Sequence, residues 1–182
     1  MSDATEQFAK FKAVIATADV PLLGLERRPG TASESELNRK LDEFFAAQKI
    51  PARIQPLLRS TALLWHDHLD ASHTISQSIE TRDGSWLHGI MHRREPDYGN
   101  AKYWFHRVGQ HDAFLKLAER AAELMSEHGD SLFDDGEWDP FAFIDECEQA
   151  EQGKDEEVLS VLRQIQAAEF DVLIESIFSQ AP

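Results

Sequence analysis

The sequence predicts an all-α fold, a single-domain helical bundle of about seven helices over residues 1–182. Two observations carry that reading. Apolar residues recur with a 3.6-residue period along most of the chain, while alternating apolar runs bounded by turn residues are missing. Capping residues, prolines and glycines punctuate those periods where helices should start and stop. At 182 residues and 42% hydrophobic, the chain is long enough to bury one full core.

The first helix is expected over about 4–18, with Phe8, Phe11, Val14 and Ile15 on one face. A loop holding Pro21, Gly24, Pro29 and Gly30 follows. Ser33 and Glu36 have capping-box spacing and open a helix to about Gln48. Pro51 and Pro56 suit the loop and first turn of a long third helix reaching about Ile79, with Asp83-Gly84 beyond its end. Ser85 caps a short helix that stops before Pro96, because a residue ahead of proline avoids helical angles. Asn100 starts another short helix, closed by Gly109. A helix from Asp112 to His128 and a loop over Asp130 to Asp139 come next. Asp139-Pro140 is an N-cap followed by proline at the first helical position, opening a helix to about Gly153. The last helix runs from Asp155 to about Ser179.

The net charge of −15 argues against nucleic acid and anionic membranes as partners. No apolar run approaches the roughly 20 residues of a membrane span. The start of the chain lacks the basic and apolar stretches of a signal peptide, and the single cysteine, Cys147, leaves no internal disulfide, so a cytoplasmic location is expected. The charge is uneven. Residues 119–157 hold 15 acids and 2 bases, whereas residues 82–107 hold 5 bases and 3 acids. That basic island can attract a small polar or anionic molecule.

The island falls inside a stretch, from Trp65 to His111, with seven of the eight histidines, three of the four tryptophans and both tyrosines. Packing alone needs few such groups. At 100° per residue along the expected third helix, with His66 at 0°, Asp70 falls at about 40°, His73 at about −20° and Gln77 at about 20°. On the next helix, with His88 at 0°, His92 lies at about 40° and Glu95 at about −20°. Consecutive helices tend to pack side by side, so the two polar stripes should face each other. His66, Asp70, His73, His88, His92 and Glu95 are therefore the candidate catalytic residues.

Three chemistries fit this pattern, and the sequence leaves all of them open. His88 and His92 at i, i+4, with Asp70 and His73 at i, i+3, can hold a divalent metal such as zinc. The histidines can instead act metal-free as acids and bases, with Trp86, Tyr98, Asn100, Lys102, Tyr103 and Arg107 binding the small molecule. Trp104 is a further candidate wall. They can also form a structural polar network between helices, in a non-enzymatic interaction or regulatory protein. Arg93 and Arg94 point off the histidine stripe, and at least one is expected to pair with Glu95, Asp97 or another acid as a structural clamp, leaving Arg107 as the better anion ligand.

The segments Trp65-His-Asp-His-Leu-Asp-Ala-Ser-His73, Trp86-Leu-His-Gly-Ile-Met-His-Arg-Arg-Glu95 and Asn100-Ala-Lys-Tyr-Trp-Phe-His-Arg-Val-Gly109 resemble those of a family of uncharacterised microbial proteins. The similarity extends into Asp139-Pro-Phe-Ala-Phe-Ile-Asp145, about the C-terminal two-thirds of the chain. The resemblance implies no activity and assigns no catalytic residue.

Overall fold

Three helices start where a capping residue was legible in the sequence. In the computed structural model, which describes residues 3–125, 133–134 and 136–180, Ser33 Oγ accepts from the Glu36 amide at 3.3 Å. This opens α2 (Glu34–Gln48). Asp139 Oδ1 accepts from the amides of Phe141 and Ala142, with Pro140 in the first turn of α8 (Pro140–Gly153). Asp155 does the same for α9 (Glu156–Ser179). These side chains satisfy amides that have no partner inside the helix.

The other elements are α1 (Asp3–Val14), α3 (Gln55–Trp65), α4 (Leu69–Ser76), α5 (Arg82–Arg94), α6 (Tyr98–Val108) and α7 (Ala113–Met125). Two two-residue strands, β1 (Phe133–Asp134) and β2 (Glu137–Trp138), pair antiparallel between α7 and α8. The all-helical class holds, with nine helices among the described residues rather than about seven. The expected helix over Asp112 to His128 is described to Met125, and His128 lies outside the described residues. No described helix is long and apolar enough to cross a membrane.

The expected third helix is two helices. The chain turns at His66-Asp67-His68, where Asp67 adopts φ 64°, left-handed backbone that aspartate tolerates better than most residues. Two guanidiniums stabilise the turn. Arg28 donates to Asp67 Oδ2 through Nε at 2.9 Å, and its other nitrogens reach the carbonyls of Trp65 and Asp19. Arg94 donates to Asp67 Oδ1 at 2.8 Å and to the Leu64 carbonyl at 2.6 Å. Two cations thus meet both the carboxylate and the carbonyls at the negative end of α3. Burial pushes the Asp67 carboxyl up, but the two guanidiniums outweigh it and hold it below its ordinary value.

The neighbouring residue anchors α5 to the last helix. Arg93 donates to Glu169 Oε2 at 2.5 Å and to Gln166 at 3.1 Å, its guanidinium 4.5 Å from the Phe143 ring centroid. Trp86 Nε1 donates to the other Glu169 oxygen at 2.9 Å. α5 lies close against α6 at Gly89, where an added Cβ would come within 2.7 Å of the Phe105 ring. α9 packs against α1, α3, α7 and α8, and every helix contributes to one buried apolar cluster. α5 also starts earlier than expected, capped by Thr81 rather than Ser85, which takes Asp83-Gly84 into its first turn.

Asp67→Asn keeps the shape of the turn but leaves two buried guanidiniums short of their counter-charge. We expect it to cost about 3–5 kcal/mol. Asp42→Asn, which breaks an ion pair between Arg59 and a mostly exposed carboxylate, should cost under about 1 kcal/mol. Denaturant unfolding of the two variants checks the ordering. Equal costs would mean that the turn does not depend on the buried pair.

Candidate functional site

α4, α5 and α6 bring three histidines together. His73 comes from the middle of α4, and His88 and His92 lie one turn apart on α5. Each offers a ring nitrogen, and these atoms all lie within 4.8 Å of one another. The ring centroids are 4.7 Å apart for His73–His88, 5.3 Å for His73–His92 and 4.7 Å for His88–His92. His88 and His92 are buried and His73 half-buried. Among the described residues, no hydrogen bond reaches the His73 ring.

The partners of His88 and His92 favour one tautomer of each ring. Glu95 Oε2 lies 3.2 Å from His92 Nδ1. A carboxylate only accepts, so His92 is protonated at Nδ1 and keeps a lone pair on Nε2. Asn100 Nδ2 lies over this ring, 3.1 Å from Nε2 and 3.4 Å from Nδ1. Ser76 Oγ lies 3.3 Å from both the His73 carbonyl and His88 Nδ1. A Ser76 hydroxyl that donates to the carbonyl can accept from Nδ1–H, the tautomer that keeps the His88 lone pair on Nε2. Trp104 stacks on His88 with ring centroids 4.0 Å apart.

Burial pushes His88 down to about 4, and the adjacent His92 and His73 push the same way. Burial also lowers His92, opposed by Glu95. Two facing imidazoles are thus neutral at physiological pH, the form that binds metals. A tetrahedral ion at about 2.0–2.1 Å from each nitrogen needs the nitrogens about 3.3 Å apart. Three histidines leave a fourth position open.

The other expected residues divide sharply. His66 ends α3 on the far side of the Asp67 turn, its Nδ1 accepting from the Ala32 amide at 3.1 Å. Asp70 is exposed on the first turn of α4 and is not in the histidine group. The stripe drawn through His66, Asp70 and His73 fails because no single helix carries them. Glu95 is present, as a partner of His92. Among the expected ligand-binding residues, Asn100 touches the cluster and Arg107 reaches it through Trp104, lying 5.2 Å over that ring. Trp86 is buried in the core as a donor to Glu169. Lys102 pairs with Asp145 of α8, and Tyr98 is half-buried, pushed up to about 12 by burial and by Glu151 of that helix. Tyr103 is exposed beside Trp104. Arg93 and Arg94 both pair with acids, Glu169 and Asp67, as structural clamps.

Sequence reasoning missed Ser76, which lies three residues after His73, a spacing that places it one turn on. It also missed Arg28, Asp67 and Glu169, whose ion-pair partners lie 27 to 76 residues away.

Two clefts open elsewhere, and none of the three histidines lines either. One of ≈ 540 Å³ lies among the end of α6, the start of α7 and the β2–α8 connection, and one of ≈ 470 Å³ lies between α7 and α9. His111 borders both, but its Nε2 meets Asp83 at 3.0 Å and its Nδ1 accepts from the Ala113 amide. Both nitrogens are engaged, so this pair caps a helix. Comparison with protein-family models, curated proteins and solved structures returned no match.

Burial and the Arg28 charge push His66 down to about 4, from an ordinary value of 6.5. Between those values the unfolded chain binds the proton and the folded chain does not. The stability held by neutral His66 is therefore full above about pH 6.5 and falls as the pH drops toward 4. We expect the melting temperature to decline across that window, and His66→Asn, which keeps an acceptor for the Ala32 amide, to decline less. Identical slopes for both proteins would assign the acid sensitivity elsewhere.

Proposed function

We propose that His73, His88 and His92 bind a divalent transition ion of the zinc type, and that the protein uses its exchangeable position to bind a small polar or anionic molecule. The observation that carries this is the convergence of three ring nitrogens from two helices, with nothing hydrogen-bonded to the His73 ring among the described residues. The surroundings support it. Metal-binding histidines commonly donate their second nitrogen to an oxygen, which fixes the tautomer. Glu95 and Ser76 sit where His92 and His88 need such acceptors. An ion held this way can act as a Lewis acid on a bound molecule. We place this function in the cytoplasm, with neither nucleic acid nor membrane as partner, in keeping with the acidic composition.

A second reading, a structural histidine network in a non-enzymatic interaction protein, draws on the partners that His88 and His92 already have. Titration with zinc or cobalt(II), read by calorimetry and thermal shift, separates the two. The metal reading expects one ion per chain and about 2.7 kcal/mol of added stability at a hundredfold excess over the dissociation constant. His73→Ala should lower affinity more than about 100-fold, beyond the loss of about 10-fold expected for Glu95→Gln. Asp70→Asn should bind as the wild type does. Absence of saturable binding would leave the network reading standing.

A further inference from the structure

The exchangeable position has a chemical preference that follows from its surroundings. On the proposed metal reading, all three ligands are neutral imidazoles, so a divalent ion keeps its full charge. The nearest carboxylate, Glu95, is engaged by His92 Nδ1 and lies on the opposite edge of that ring from Nε2. Asp97 is more distant, 4.0 Å from the same Nδ1. Among the described residues, an ion on the Nε2 side therefore lacks a protein anion in direct contact, and in a half-buried site its charge draws one from solution.

α6 forms the wall facing that side. Asn100, Trp104 and Arg107 recur at i, i+4 and i+7, which places them on one helical face. Asn100 places its amide nitrogen over the His92 ring, 3.1 Å from Nε2 and 3.4 Å from Nδ1. Trp104 covers His88, and the Arg107 guanidinium lies over the Trp104 ring. Arg107 is exposed and forms no ion pair among the described residues. The wall thus carries one hydrogen-bond donor beside the ion, one flat apolar surface and one cation further out. It carries no acid.

We infer that the molecule taken at this site is a small oxyanion, a carboxylate or a phosphate. One of its oxygens binds the ion while another accepts the amide N–H of Asn100, with Arg107 adding positive potential at the rim. The Asn100 amide, now over the His92 ring, turns to the anion when the ion occupies Nε2. Asn100 is thereby a binding residue for the anion and not a metal ligand, and Arg107 acts at longer range.

Cobalt(II) bound to the full chain gives a visible spectrum sensitive to its fourth ligand, so it reads the ion and the anion separately. Acetate and inorganic phosphate are each titrated into the cobalt protein, with glycerol as a neutral control. The expected result is a saturable spectral change with at least one anion and none with glycerol, and the tighter of the two names the source of the oxyanion. Asn100→Ala should bind cobalt within about threefold of wild type, which also shows that it folds, and bind the anion about tenfold or more weakly, as loss of a hydrogen bond to a charged group implies. Arg107→Ala should weaken the anion severalfold, with the difference vanishing at high salt. A cobalt spectrum unmoved by either anion would overturn the inference while leaving the metal site intact. So would unchanged anion binding in Asn100→Ala, or loss of cobalt from that variant, which would make Asn100 a ligand. Failure of the wild type to take up cobalt would overturn the metal reading and this inference together.

Discussion

The carboxylate of Asp67, buried between the guanidiniums of Arg28 and Arg94, is the interaction on which the rest of the molecule depends. It joins three separate stretches of chain: the loop before α2, the break between α3 and α4, and the end of α5. Each arginine also meets backbone carbonyls, so the pair replaces at one point the hydrogen bonds that α3 loses when it stops. Such a cluster does not add much net stability, because removing three charges from water is expensive. Its effect is selective. Any packing that separates these stretches leaves a charge buried without a partner, and such packings are strongly disfavoured.

Helix geometry carries that constraint to the histidines. Relative to His88, Arg93 points about 140° one way round α5 and Arg94 about 120° the other. Arg93 reaches Glu169 on α9, and Arg94 reaches the α3–α4 turn. Anchored on both of those sides, α5 turns its remaining face, with His88 and His92, toward α4 and α6. The direction of α4, and with it the position of His73, is set by the left-handed backbone at Asp67. Gly89 lets α6 lie close enough for Trp104 to cover His88 and Asn100 to reach His92. The site is thus held by rigid elements whose own contacts lie outside it, the arrangement that preorganised binding needs.

The three rings make the site costly as pure architecture. Burial and proximity disfavour protonation of His88 and His92, and among the described residues His73 gains no hydrogen bond from its neighbours in return. A cation shared among the free nitrogens turns that arrangement into a favourable one, and the acceptors at Ser76 and Glu95 already suit it.

Much of this was legible in the chain itself. Periodicity and caps determined the helical class and the starts of α2, α8 and α9, because those signals act within four residues. Spacing alone put His88 and His92 on one face and turned Arg93 and Arg94 away from it. The expected continuous third helix was wrong. Residues 66–68 contain neither glycine nor proline, and the turn there depends on Arg28 and Arg94, 39 and 27 residues from Asp67. That break removes His66 and Asp70 from the cluster and leaves His73. Sequence order also could not divide the faces of α6, where Asn100 and Trp104 meet the histidines while Lys102 turns to α8. Local hydrogen bonding and side-chain period are written in neighbouring residues. The pairing of buried charges is decided only when distant segments compete for the same counter-ion, and tertiary structure alone settles that competition.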